Sequence, residues 1–420
     1  MKIETIHSKF LECKTLSTDT RNIREQSMFF ALKGANFDAN SFADEALAKG
    51  AKYVVIDNTN YYKDTGEYIL VDDVLTCLQK LASYHRKQLQ IPIIALTGSN
   101  GKTTTKELIN AVLSQRFQTT ATVGNLNNHI GVPLTLLSMT QQTEIGIVEM
   151  GANHFKEIEL LCKIANPNFG YITNFGKAHL EGFGSIAGVI KAKSELYEYL
   201  KENDGLAFVN PDDKVQLTQT NKQKRQFIGQ TIEPIESQNF IKVKWQEMSI
   251  QSNLVGNYNY PNIVAAICIG AYFGVSKEQI KAGIESYTPV NKRSQIITKN
   301  NITILLDAYN ANPTSMQAAL ENFGKNSPKN KIVILGDMFE LGDSALHEHI
   351  EIAKLAQSYG FDRVILIGNN FGKTNLKDCI YFKNYTDFEA GFDKQIYTNK
   401  TLLIKGSRGM ALERIVKLFD

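Results

Sequence analysis

The chain has 420 residues, of which 43% are hydrophobic and 21% charged, and its formal net charge is +3. That length exceeds what one hydrophobic core usually supports, so two or three domains are expected. A near-neutral balance without a dense Lys/Arg block argues against a nucleic-acid partner, and no run is long and apolar enough for membrane insertion. The first residues lack the apolar core of a signal peptide, and the five cysteines are scattered and odd in number. Both features predict a cytoplasmic protein with reduced thiols. Seven histidines without paired ligand spacing leave oxygen-bound Mg²⁺ as the expected metal.

In chain order, short apolar stretches at 27–32 and 51–56 predict a small α/β unit over residues 1–85, and an amphipathic segment at 71–89 leads out of it. The apolar run at 93–97 predicts a buried strand that breaks into Gly98-Ser99-Asn100-Gly101-Lys102-Thr103-Thr104 and then a helix. Amides at the start of such a helix face the loop, and the helix dipole favours negative charge there. Lys102 adds a mobile cation for phosphate oxygens, and the Thr103 hydroxyl can ligate Mg²⁺. A nucleoside triphosphate site is therefore expected. The generic Gly-x-x-x-x-Gly-Lys-Thr pattern would need a glycine at Leu96, so this loop is a shorter form that few ATPases use.

Runs at 145–150 and 169–174, each followed by a helix-like stretch, continue the alternation of a mostly parallel sheet in a central unit reaching residue 293. Runs at 302–306, 331–335, 363–367 and 401–404 repeat it and predict a doubly wound, Rossmann-like unit over 294–420. Ligands bind outside the carboxyl ends of such strands, so the polar residues that end them are the candidates. Glu149 ends one strand and can hold Mg²⁺ directly or through water; a solvated strand-end carboxylate is the plainer alternative. His179 follows a strand end in the same sheet, where a metal or phosphate role competes with an ordinary surface or core histidine. Lys191 and Lys193, in a helix-like stretch, read by themselves as an exposed basic turn. Asn259 precedes a small-residue apolar helix and suits an N-cap, a hydrogen bond to a bound base, or both. Asp307, Asn310 and Asn312 follow one strand of the third unit. Lys405, Ser407 and Arg408 follow another, where they suit a carboxylate as well as they suit a polar turn.

The segments at 97–106, 125–135, 178–185 and 335–342, taken together and in this order, resemble the Mur ligases, ATP-dependent amide-bond ligases of peptidoglycan precursor synthesis. The resemblance covers nearly the whole chain and is nearest to the dipeptide-adding members. It implies three domains: a UDP-sugar-binding unit over 1–85, an ATP-binding unit over 86–293 and a dipeptide-binding unit over 294–420. It implies ATP and two Mg²⁺ ions, UDP-N-acetylmuramoyl-tripeptide and D-alanyl-D-alanine as substrates, an acyl-phosphate intermediate, and a monomer. By resemblance, Lys102 and Thr103 serve phosphate and Mg²⁺, and Glu149 and His179 belong to the metal site. Lys193 matches the lysine that the family carbamoylates to hold a second Mg²⁺, with Lys191 competing. Asn259, Arg293 and Asp307 match ATP contacts. Thr18, Asp19, Thr20, Arg21, Lys33 and Gly34 resemble the UDP-sugar segments. Asn127, Asn128 and His129 resemble a substrate-facing loop, and Asn310, Asn312, Lys405, Ser407 and Arg408 are expected at the peptide substrates.

Three alternatives compete. A diaminopimelate-adding relative would carry Asp-Asn-Pro-Arg in its third domain, which is absent here. A folylpolyglutamate synthetase would lack a first domain of this kind. A P-loop switch, from a different class, would hydrolyse ATP slowly without needing an acceptor amine.

Overall fold

The computed structural model describes residues 1–237, 240–326 and 330–420. The N-terminal part carries a parallel sheet in the order Thr15–Ser17, Ser27–Phe30, Ala51–Ile56, Tyr68–Leu70. The middle of the chain forms a parallel sheet in the order Arg225–Phe227, Leu206–Val209, Phe169–Ile172, Ile93–Thr97, Ile145–Glu149, Thr119–Ala121. Its inner strands read as unbroken apolar runs because helices cover both faces; every residue of Ile93–Thr97 is buried. The C-terminal sheet runs Gln295–Lys299, Ile302–Asp307, Thr401–Lys405, Lys331–Gly336, Arg363–Ile367, Ile380–Phe382. Only its first strand is antiparallel. The parallel, doubly wound expectation therefore holds. A further antiparallel sheet of Ile232–Ile235, Lys242–Trp245 and Met248–Gln251 was not foreseen from the sequence. Pro234 sits in its outer strand, where no ladder donor is needed.

Strand Ile93–Thr97 lies where the order of the central sheet reverses. Strands later in sequence flank it on both sides, and their carboxyl ends open onto a crevice there. Register pairs Leu96 with Glu149 and Thr97 with Ile172, so three strand ends converge on the loop that begins at Gly98.

Helix Val74–Leu89 starts on Asp73, whose side chain accepts from the Thr76 amide, and it runs through the junction expected near residue 85. The junction falls inside an element because the helix buries residues toward both neighbours. Leu78 and Leu81 share one apolar cluster with Ile6, Phe10 and Met28 of the first unit and with Val132, Leu136, Met139 and Leu161 of the central one. Its buried His85 binds the Met139 carbonyl through Nε2 (2.9 Å) and His7 Nε2 through Nδ1 (3.0 Å). The Met139 carbonyl can only accept, so His85 Nε2 carries the proton and His7 donates to Nδ1.

Desolvation is the leading cause that lowers both imidazoles, with His85 adding a charge penalty at His7. A base with a depressed folded pKa takes up its proton more readily when unfolded. Stability is therefore intact above about pH 6.5 and falls below it, by at most about 1.4 kcal/mol per pH unit for each proton. His85→Gln should flatten that slope in thermal melts between about pH 5 and 6.5; an unchanged slope would show that the pair does not titrate with unfolding.

Candidate active site

Two glycines shape the loop. Gly98 has φ +142°, and a Cβ there would stand 2.0 Å from Thr173 Oγ1. Gly101 has φ +80°, and its Cβ would meet Asn262 Oδ1 at 2.7 Å. Only glycine tolerates both the backbone and the space. The loop is stitched to the neighbouring strand end. Ser99 N donates to Asn174 O (3.0 Å), Asn100 N to Asn174 Oδ1 (3.1 Å), and Thr173 Oγ1 to Asn100 O (2.6 Å). Gly98→Ala should therefore cost about 1–3 kcal/mol and weaken nucleotide binding. Thermal melting with isothermal titration of ATP checks this, and wild-type values for both would refute it.

Helix Lys102–Leu113 follows the loop, and its first turn lines a cleft of about 660 Å³. Lys102 Nζ donates to Gly98 O at 2.7 Å. Desolvation lowers its pKa, and Glu149 partly opposes that. Glu149 is buried at 1% exposure, with Oε2 accepting from Thr103 Oγ1 (2.9 Å) and Oε1 from Asn127 Nδ2 (2.8 Å). It is therefore no solvated strand end. A hydroxyl and a carboxylate at the foot of an anion-binding loop are hard oxygen donors suited to Mg²⁺, which keeps several waters and phosphate oxygens. No cluster of three or more His, Cys, Asp or Glu that could cage a metal occurs among the described residues.

His179 lines the same cleft in a left-handed backbone conformation, φ +52°. Its Nδ1 lies 2.5 Å from Glu340 Oε2 without the alignment of a hydrogen bond. Lys193 does not line the cleft. It is fully buried one layer behind it, with Nζ 3.3 Å from the Ala152 carbonyl and 5.3 Å from the Phe183 ring centroid. Desolvation lowers its pKa well below the ordinary lysine value, and Lys102 lowers it further. The expectation of an exposed basic turn thus fails at Lys193, because helix Ile186–Glu202 turns this face inward; Lys191 is the exposed one of the two. Mg²⁺ is a hard cation that takes oxygen donors, so Lys193 fits it once its amine carries a carboxylate.

The third unit closes the cleft from the opposite side. Asp307 Oδ2 pairs with Lys405 Nζ at 2.5 Å, and Arg293 and Arg408 place their guanidiniums 3.7 and 4.9 Å from the Tyr309 ring centroid. Asn310, Asn312 and Arg408 also line the cleft, and Asn312 Nδ2 donates across it to Asn100 Oδ1 at 2.8 Å. Asn127, Asn128 and His129 complete one wall; Asn128 Oδ1 accepts from the amides of Ile130 and Gly131. Asn259 is buried, holding Val255 O and accepting from Asn262, which in turn accepts from Thr105 Oγ1.

Several expected residues lie elsewhere. Ser407 is buried and is used by Phe339 N and Ala311 O, so it supports the cleft without facing it. Thr18, Asp19, Thr20, Arg21, Lys33 and Gly34 lie outside the cleft lining. Arg21 pairs with Asp19 at 2.7 Å, and Lys33 with Asp57 at 2.7 Å. Asn174, Asn262 and Tyr309 were not singled out from the sequence, yet all three line the cleft. Asn174 and Tyr309 follow strand ends, Tyr309 next to the chosen Asn310, and Asn262 lies in the first turn of helix Tyr260–Tyr272, three residues after Asn259.

Strand ends of two parallel sheets meeting over a phosphate loop describe a multidomain α/β enzyme that brings separate substrates together. The Mur ligase middle domain matches residues 96–270, and the Mur ligase, glutamate ligase domain matches residues 292–408. The chain belongs to the Mur ligase family. It is 36% identical to the UDP-N-acetylmuramoyl-tripeptide--D-alanyl-D-alanine ligase of Bacillus subtilis (strain 168), over 96% of this chain and 92% of the relative. The enzyme of the same name from Escherichia coli (strain K12) is 33% identical over 96% and 92%. Among solved structures, MurF from Acinetobacter baumannii superposes with a TM-score of 0.87 at 28% identity, covering 100% of this chain and 98% of the other. MurF ligase from Thermotoga maritima in complex with ADP gives 0.84 at 26% identity, covering 98% and 97%.

Proposed function

We infer that the chain is the ATP-dependent ligase that joins D-alanyl-D-alanine to UDP-N-acetylmuramoyl-tripeptide in cytoplasmic peptidoglycan precursor synthesis. The observation that carries this reading is identity of 33–36% to enzymes of that name over 96% of the chain. The working division is 1–85 for the UDP-sugar, through Thr18–Arg21 and Lys33–Gly34, 86–293 for ATP, and 294–420 for the dipeptide, acting as a monomer.

The substrate carboxylate is a poor acyl donor, so its activation by the ATP γ-phosphoryl group to an acyl phosphate precedes attack by the dipeptide amine. Two anions must meet, and positioning plus charge stabilisation are what the protein supplies. Gly98–Thr104 and Lys102 hold the phosphates. Asn259, Arg293 and Asp307 hold the nucleotide, with Arg293 braced on Tyr309. Thr103 and Glu149 would hold one Mg²⁺, and His179 with carbamoylated Lys193 a second. When bound, these ions neutralise the developing charge between the phosphoryl group and the attacked carboxylate. Asn127, Asn128, His129, Asn310 and Asn312 line the path of the peptide, and Lys405 and Arg408 meet the dipeptide carboxylate, with Ser407 supporting them.

Phosphate release measured with ATP, muramyl tripeptide and D-alanyl-D-alanine, omitting each in turn, tests the reading. Strict dependence on all three is expected. Turnover that needs no amine acceptor would instead establish an ATPase.

A further inference from the structure

The loop after strand Lys331–Gly336 is held from several directions. The Asp337 carboxylate accepts from the amides of Asn370 and Phe371, each at 2.9 Å. Met338 N donates to His349 Nε2 at 3.0 Å, and Phe339 N to Ser407 Oγ at 2.9 Å. This scaffold ends on Glu340, a non-glycine residue at φ +62°. Such a conformation is uncommon and persists where the surroundings impose it. The Glu340 carbonyl accepts from Glu181 N at 3.1 Å, and its carboxylate lies 2.5 Å from His179 Nδ1. A rigid loop of the third unit thus sets an exposed carboxylate against His179, at the edge of the cleft that His179 lines.

Lys102, Arg293, Lys405 and Arg408 line the cleft, and the carboxylates that line it with them are already engaged, Glu149 by Thr103 and Asn127, Glu157 by the amides of Asn153 and His154, and Asp307 by Lys405. A further carboxylate at the edge of this cleft, beside His179, repels ATP and the activated substrate alike. In the ligase reading, which this inference deepens, the one reacting group with positive charge is the α-ammonium of the incoming dipeptide. Strand Thr401–Lys405, beside Lys331–Gly336, leads into Arg408, which suits the dipeptide's carboxylate. Adjacent strand ends therefore offer opposite charges to the two ends of a zwitterion.

We propose that Glu340 receives the α-ammonium of the dipeptide and directs its nitrogen at the activated acyl carbon. In the step so positioned, the N–C bond forms and the acyl C–O bond to phosphate breaks, phosphate leaving with the electron pair. Two protons leave the ammonium, one to the departing phosphate and one to solvent.

Glu340→Gln tests this, because hydroxylamine, a neutral nucleophile, traps acyl phosphate as a hydroxamate without needing a carboxylate partner. Amide formation with D-alanyl-D-alanine should fall about 10- to 100-fold, chiefly as a raised KM for the dipeptide. Hydroxamate formation and the KM for ATP should stay within about twofold of wild type, and Glu340→Asp should recover part of the loss. Amide and hydroxamate falling together would assign Glu340 to phosphoryl transfer or to structure and overturn the proposal, as would no loss of either. If the wild-type protein makes no amide from the dipeptide, the ligase reading fails and this inference with it.

Discussion

Lys102→Ala is expected to lower kcat for amide formation by about 10²–10³-fold or more while leaving the fold intact. The Lys102 ammonium is pinned by carbonyls of its own loop, at 2.7 Å from Gly98 O and 3.4 Å from Ser99 O. Neither contact holds an element of the core together, so removing the amine leaves the strand–loop–helix unit in place. What is lost is the cation that offsets charge when phosphoryl group and carboxylate approach. Loop amides and the helix terminus still bind the nucleotide, so the KM for ATP should move far less than kcat. Steady-state phosphate release with both substrates present measures this, and a near-wild-type rate would sink the assignment of the phosphate loop.

Lys193→Met should remove activity by about 10²-fold or more and yet produce a more stable protein. The amine is fully buried and, among the described residues, makes one long hydrogen bond, 3.3 Å to Ala152 O, beside the Phe183 ring, so most of its hydrogen-bonding capacity is unused. Replacing such a group by an apolar side chain of similar length should gain about 1–3 kcal/mol in CO2-free buffer. The pH dependence has a definite sign. With a depressed folded pKa and an unfolded value near 10.4, the unfolded chain binds a proton that the folded one refuses across the interval between them. Wild-type stability therefore rises with pH through that window, and Lys193→Met should abolish this part of the slope. The neutral amine that burial favours is also the form that attacks CO2, giving a carbamate and a released proton. Labelled bicarbonate should accordingly give a carbamate resonance in wild type and none in the variant. A destabilised variant with an unchanged slope would refute the account.

The strands were legible because apolar runs bounded by Gly, Asn and Asp can hardly be anything else. The strand-end rule then found Glu149, Asp307 and Lys405. Lys193 shows where that reasoning ends. Two lysines two residues apart on a helix point in different directions, and which is buried depends on Phe183 and Ala152, brought in by chain segments remote from the pattern. Ser407 fails in the opposite way: it has the right chemistry at the right strand end, but Phe339 N and Ala311 O have already claimed its hydroxyl. The antiparallel sheet escaped because its strands are only four residues long and mix polar with apolar residues, with burial confined to Ile232, Val243, Trp245 and Ile250. Asn262 escaped because its partner Thr105 is 157 positions away in sequence.

Helix Val74–Leu89 carries a lesson about modular exchange. Because its buried face belongs to a cluster drawing on both the first and the central units, a fragment beginning after it would strip the cover from Val132, Leu136 and Met139. The third unit meets the central one through polar pairs, such as Asn312 with Asn100, Lys177 with Glu348 and Tyr258 with Ser294, and through Val255 and Leu180, which pack on its apolar cluster. A chimera that swaps the third unit at residue 293 therefore asks for new polar partners and a fit to Val255 and Leu180 at the edge of its core, whereas one that swaps the first must rebuild a cluster that runs through helix Val74–Leu89. On the proposed division of labour, the acceptor-binding unit is the more readily exchanged part, and the sugar-nucleotide unit is tied to the central core.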